Sequence, residues 1–204
     1  MQVMGLAVMF IGASGALRGI FTVKDGFLET GGTMLMIASL TIGALLGELI
    51  NIEAQMERFG EWLKDKAKSS GDTKFVEGFV TASLTVCIGA MAIVGSIEDG
   101  ISGNHDTLFA KAALDLVIVM VFAATYGKGV AFSAIPVAIL QGTVTICAGF
   151  IAPIMNDSII ANISFIGSML IFCVGVNLSF GKKFKVGNML PAIIIPFIYG
   201  LIAG

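Results

Sequence analysis

The side chains with the most chemistry to offer are polar groups set in apolar surroundings. Glu48 closes the run TIGALLGELI (41–50), and Asp115 sits in AKAALDLVIVMVF (110–122). Gln141 and Thr143 fall in AILQGTVTICAG (138–149), and Asn177 in CVGVNLSF (173–180). Thr81, Ser83 and Thr85 occupy alternate positions of TASLT. Carboxylate, amide and hydroxyl oxygens are what hard cations bind. In lipid such groups are costly enough to be functional candidates by default. Each also has a plainer use. Hydroxyls bond back to their own helix and amides join helices. Glu48 lies where it reaches water, and Asp115 lies in the first turns of its helix, where the dipole favours a carboxylate.

A second group lies in SIEDGISGNHDTLFAK (96–111), with Glu98, Asp99, Asp106 and His105, the sole histidine. A carboxylate-lined mouth that gathers cations is one reading; a solvated loop turning at Ser-Gly-Asn is the other. Catalysis has little to stand on. No Ser–His–Asp or paired-carboxylate spacing occurs, and Cys87, Cys147 and Cys173 lie in apolar runs without CxxC spacing, as packing residues would. Neither GxxxxGK[ST] nor GxGxxG is present. No enzyme activity, cofactor, metal centre or nucleic-acid partner is expected.

The elements that must carry these residues follow from composition. Of 204 residues, 56% are hydrophobic and only 13% charged, with mean hydropathy +0.96 and net charge −2. A soluble domain carries about 25% charged residues. Too little polar surface remains to cover a globule in water, so the lipid bilayer must be the solvent. Spans of about 20 apolar residues fall at 3–20, 33–50, 77–97, 108–127, 132–153, 160–180 and 187–203, the last with Pro191 and Pro196. The runs lack the period-two alternation of a membrane barrel. The expectation is an all-α bundle of seven spans, residues 1–204 forming one integral membrane domain. Between spans two and three, Ile52, Met56, Phe59 and Leu63 recur at helical spacing opposite Glu53, Glu57, Glu61 and Lys64. That pattern predicts an amphipathic helix over 52–66, anchored at the headgroups by Trp62.

Orientation follows from basic residues. With seven spans, Arg58, Lys64, Lys66, Lys68, Lys74, Lys128, Lys182, Lys183 and Lys185 share one side, and Arg18, Lys24 and Lys111 the other. The richer side is cytoplasmic, which puts the N-terminus of this chain inside and its C-terminus outside.

One phrase recurs: GLAVMFIGASGAL (5–17), SLTVCIGAMAIVGS (83–96) and SMLIFCVGVNLSF (168–180), with Gly12, Gly89 and Gly175 in matching places. Spans one and three run one way and span six the other. An inverted repeat of this kind marks secondary transporters and some channels. Small-residue packing produces similar strings, GALLG (43–47) among them, and permits a homo-oligomer.

The stretches GALLGELINIEAQMERFGEWLK, FVEGFVTASLTVCIGAMAIVGSIEDGISGNHDTLFAKAALD, FSAIPVAILQGTVTICAG and KVGNMLPA closely resemble the YqgA-like bacterial membrane proteins, the family called domain of unknown function 554. The resemblance covers essentially the whole chain. It implies a multi-pass bacterial inner-membrane protein and, from labels that members carry, a sodium channel or pump; it carries no catalytic residues across. Such proteins open with one more glycine-rich hydrophobic segment before the phrase that begins here at Met4. With that segment the resemblance implies eight spans and an N-terminus outside. Two functions are therefore expected to compete: a transporter or channel for a small ion such as sodium, and a non-transporting scaffold or sensor that binds a partner through 52–66.

Overall fold

The computed structural model describes residues 2–24, 27–69 and 71–203. The chain runs α1 (Gln2–Ile20), a hairpin of β1 (Phe21–Lys24) and β2 (Phe27–Thr30), α2 (Thr33–Ile50) and α3 (Ile52–Lys66). Then come α4 (Phe75–Cys87), α5 (Ala90–Ser102), α6 (Asp106–Tyr126), a 3-10 stretch at Gly127–Ser133, α7 (Ala134–Ile146) and the short α8 (Ala148–Ile151). The last part holds α9 (Asp157–Phe180), α10 (Val186–Met189), a 3-10 turn at Leu190–Ile193 and α11 (Ile194–Ala203). Two compact units result: residues 1–52 with 155–204, and residues 53–154.

In the first unit, α1 lies antiparallel against α9. Gly5 meets the backbone at Leu178 and Ser179, Gly12 the backbone of Phe172, Gly15 the side chain of Ser168 and Gly19 the ring of Phe165. From the other side, Gly175 meets the backbone of Met9. A Cβ at Gly12 or Gly175 would overlap main-chain atoms, so glycine is what lets the two helices touch. The same device joins α2 to the C-terminal segment, where Gly43 abuts Ala192 and Gly47 abuts Asn188. Ala16, Phe165, Ile166 and Ala192 bury one another between these pairs. Asn156 caps α9, its side-chain oxygen accepting from the Ile159 N–H at 2.8 Å. The hairpin pairs Phe21 with Thr30 and Lys24 with Phe27, strand structure that the span reading did not anticipate.

The second unit is built around aromatic rings. Phe75, Phe79 and Phe122 are fully buried, and Tyr126 nearly so. Gly129 admits the backbone of Phe75, and Gly100 that of Thr145. The predicted amphipathic helix is α3, which lays Gly60 on Phe79 and Val76. Phe59 packs edge-on to Phe79 and stacks on Trp62, which is half exposed.

Among the described residues, three helical stretches are long and apolar enough to cross a membrane: Thr33–Ile50, Asp106–Ile146 and Asp157–Phe180. A fourth is Phe75–Cys87 with Met91–Ser102, if that pair, bent by 63°, counts as one. At 1.5 Å per residue the 41 residues of Asp106–Ile146 have a contour of roughly 60 Å, about two hydrocarbon thicknesses. Gly127, at φ 78°, marks its joint. Gly5–Ile20 and Val186–Gly200 are shorter apolar helices.

Three of the expected uninterrupted spans are therefore broken. The stretch 77–97 stops at Cys87 and restarts at Ala90, because Gly89 holds φ 151° and ψ 144°, which is not helical. The stretch 132–153 begins in a 3-10 turn and breaks at Cys147, and 187–203 is interrupted at Leu190–Ile193, where Pro191 lacks a donor. Gly89 thus differs from Gly12 and Gly175, which lie inside helices at a contact. The outer faces stay greasy: Leu49, Phe109, Ile146 and Phe150 are each at least 70% exposed. Such surface is a liability in water and ordinary in lipid.

Candidate ion site at a broken helix

In the second unit the break at Ile88–Gly89 leaves the last carbonyls of α4 without continuing helical partners. The Ile88 N–H satisfies Leu84 at 3.1 Å. The Val86 carbonyl is met by a side chain instead: Lys111 Nζ on α6 donates to it at 3.1 Å. The same ammonium pairs with the Asp115 carboxylate one turn along α6. The Lys111 side chain is 7% exposed and that of Asp115 21%, so the pair is largely withdrawn from solvent. A cation at the C-terminal end of α4 also complements the negative end of its dipole.

Val86, Lys111, Asp115, Ser133 and Gln141 line one open cavity of about 280 Å³, together with apolar side chains that include Leu108, Val119 and Val137. Residues that bear carboxylate, hydroxyl and amide groups thus line one space. Oxygen donors of this kind suit a hard cation. Asp115 lies nine residues into α6, about 14 Å along its axis, well inside the apolar stretch.

Among the residues singled out in the sequence, Asp115 and Gln141 come together here. The others are absent from its lining, and the Thr81 side chain bonds that of Tyr126 on α6. Thr85 donates to the Thr81 carbonyl at 2.7 Å and Thr143 to the Ile139 carbonyl at 2.6 Å, each on its own helix. Ser83 is fully buried, and its hydroxyl has no partner among the described residues. In the first unit, Asn177 holds the loop after α9: its amide donates to the Phe184 carbonyl at 2.7 Å, and its oxygen accepts from the N–H groups of Lys183 and Phe184. Glu48, over half exposed, accepts from Lys185 at 2.5 Å and from the Asn188 amide. Those two bonds, the Lys185 one foremost, hold it as a surface carboxylate within that unit.

The expected acidic loop is mostly helical, with Glu98 and Asp99 on α5 and Asp106 opening α6, and its polar groups bond to one another. Glu98 accepts from the Thr107 hydroxyl at 2.6 Å, Asp99 pairs with the His105 ring, and the Asp106 N–H bonds the Asn104 side chain at 3.1 Å. Gly103, at φ 66°, ends α5 with its N–H on the Asp99 carbonyl. Lys111 is the residue that the sequence reading passed over, having been counted with the loop charges. Its spacing of four from Asp115 in an otherwise uncharged run was the available signal.

Comparison with known proteins bears on identity. The sequence profile of the family described as a protein of unknown function, DUF554, matches residues 1–201. The chain belongs to this family. Two other DUF554 proteins show the spread of sequence. The uncharacterized membrane protein YdfK of Bacillus subtilis (strain 168) is 33% identical over 96% of this chain and 80% of its own length. The uncharacterized protein YqgA of Escherichia coli (strain K12) is 29% identical over 78% of this chain and 70% of its own. No solved structure matches this DUF554 chain. Together with the apolar helices, these relationships make it a membrane protein.

Proposed function

We propose that this protein moves a small cation, sodium foremost, across the bacterial inner membrane, as a transporter or channel. The observation that carries the reading is the cavity lined by Val86, Asp115, Ser133 and Gln141, just ahead of the break between α4 and α5. A span broken at depth exposes carbonyls to a ligand, and helix C-terminal ends at such breaks suit cations. Irregular backbone at membrane depth is tolerated where it lines such a cavity.

An inverted repeat is part of the proposal. Aligning Gly12 with Gly175 also aligns Met9 with Phe172 and Gly5 with Ser168, and all six residues lie at the contact of α1 with α9. A twofold axis in the membrane plane would generate that arrangement. In this account the chain crosses seven times, with α1 and the α10–α11 segment as the short crossings. The N-terminus and the Lys182–Lys185 loop face the cytoplasm.

The test is uptake of radioactive sodium into liposomes holding the purified chain. Asp115→Asn should reduce the initial rate at least tenfold. Thr143→Val, whose hydroxyl serves only its own helix, should leave it unchanged. Liposomes that admit no sodium, potassium or lithium above protein-free controls would end the proposal.

A further inference from the structure

The exposed strip of α3 carries the chain's one tryptophan between two cations, Arg58 and Lys66. Phe79 is buried, and Phe59 meets it edge-on with ring centroids 5.8 Å apart. Trp62 stacks on Phe59 at 5.7 Å, and the Lys66 ammonium stands over the Trp62 ring, 5.8 Å from its centre. This series of contacts leads from core to surface and holds the indole where it is 53% exposed. We propose that the strip formed by Arg58, Trp62 and Lys66 is a docking surface for anionic phospholipid headgroups. The proposal is independent of the transport reading.

Chain connectivity selects lipid as the occupant. α3 begins one residue beyond α2, whose 18 residues are about 27 Å long, close to one hydrocarbon thickness. Asn51, at φ 53°, ends α2 with its N–H on the Gly47 carbonyl, so the chain enters α3 at headgroup level. An indole at that depth sets its apolar ring among the upper acyl groups and its N–H among the headgroups. Arginine and lysine beside it carry their charges on apolar stems long enough to reach the phosphates.

Charge selects the kind of headgroup. Arg58, Trp62 and Lys66 recur every four residues and so fall within about 80° of helical arc. Asp65 is the one carboxylate of α3 beside this strip, on the side of Trp62 away from Lys66. Glu57 and Glu61 stand about 100° or more from Trp62 round the helix. Two cations against one carboxylate leave the strip positive, although α3 as a whole is not. Lys68 and Lys74, both exposed, extend the excess past its C-terminal end, with Asp72 between them. A zwitterionic headgroup gains little from such a strip, whereas phosphatidylglycerol, with a net negative charge, is attracted to it.

Because Trp62 is the only tryptophan, its emission reports on α3 alone. The experiment reconstitutes the full chain in bilayers of phosphatidylcholine and phosphatidylglycerol in equal amounts, with bromine on the acyl chains of one lipid or of the other. Bromine quenches an indole that it touches, so the two samples give the relative association of each lipid with Trp62. Phosphatidylglycerol should be preferred about fivefold or more, the effect of one engaged cation, and concentrated salt should weaken the preference. Arg58→Gln combined with Lys66→Gln should bring the two lipids to equality with unchanged melting temperature. Lys64→Gln, on the far side of α3, should leave the preference as it was. Equal quenching by the two lipids in wild type, or a preference that survives the double substitution, would overturn the proposal. Quenching by neither lipid would overturn it as well, whether aqueous acrylamide then reaches Trp62, which puts the strip in water, or is shut out, which puts it against a protein.

Discussion

The ion pair Lys111–Asp115 yields an asymmetry that can be measured without any transport assay. Removing one partner of a buried pair strands the other and costs about 3–5 kcal/mol, whereas replacing both with apolar residues is often neutral. The two partners are not equally withdrawn, at 7% exposed for Lys111 and 21% for Asp115. Asp115→Leu strands the deeper charge, with only the Val86 carbonyl left to it, and should cost about 4 kcal/mol. Lys111→Met strands a carboxylate that still reaches some water and should cost less, about 2–3 kcal/mol. Combining the two should recover stability to within about 1 kcal/mol of wild type, a coupling well above the scatter expected for independent sites. The assay is thermal unfolding in mild detergent, followed by a thiol-reactive dye on the three partly buried free cysteines. At about 2–4 °C per kcal/mol for a chain of this size, Asp115→Leu should melt about 8–16 °C lower. Equal effects of the single substitutions with simple additivity in the double would mean that the pair is not buried as described.

Glycine contacts give a second set of outcomes. Gly12→Val should destabilise by about 2 kcal/mol or more, because its side chain would overlap the Phe172 backbone; Gly142→Ala, which meets only open space on α7, should stabilise by about 0.5–1 kcal/mol, both read by the same thermal assay. Gly89→Ala forces an L-residue into φ 151°, at a cost of about 1–3 kcal/mol, and should lower sodium flux more than it lowers stability. Asn177→Ala removes three hydrogen bonds from the Lys182–Lys185 loop; trypsin should then cut there faster, and only in inside-out vesicles if the loop faces the cytoplasm.

Much of the architecture could be read from residue order, for reasons specific to each element. The apolar run 33–50 and the amphipathic 52–66 coincide with α2 and α3, because both announce themselves through composition and spacing within one element. Asp115 and Gln141 stood out because polar groups are rare in such runs. The break at Gly89 was not visible. A lone glycine among small residues reads the same whether it lets two helices touch, as Gly12 does, or ends one, as Gly89 does; only the tertiary partners distinguish them. Asn177 reads like any other amide in an apolar run, and only the loop that returns beside it shows where its bonds go. The strand pair 21–24 and 27–30 has a local signal, the Asp-Gly dipeptide between two short runs, which hydropathy averaged over a span conceals. Lys111 was hidden by bookkeeping, counted as loop charge although four residues before Asp115.

The account stands or falls on whether the cavity at the α4–α5 break holds a cation. Equilibrium binding of radioactive sodium to the purified protein, captured on scintillation beads, reads that directly. One saturable site that disappears in Asp115→Asn is expected. Absence of saturable binding for wild type, or full binding retained by Asp115→Asn, would contradict it.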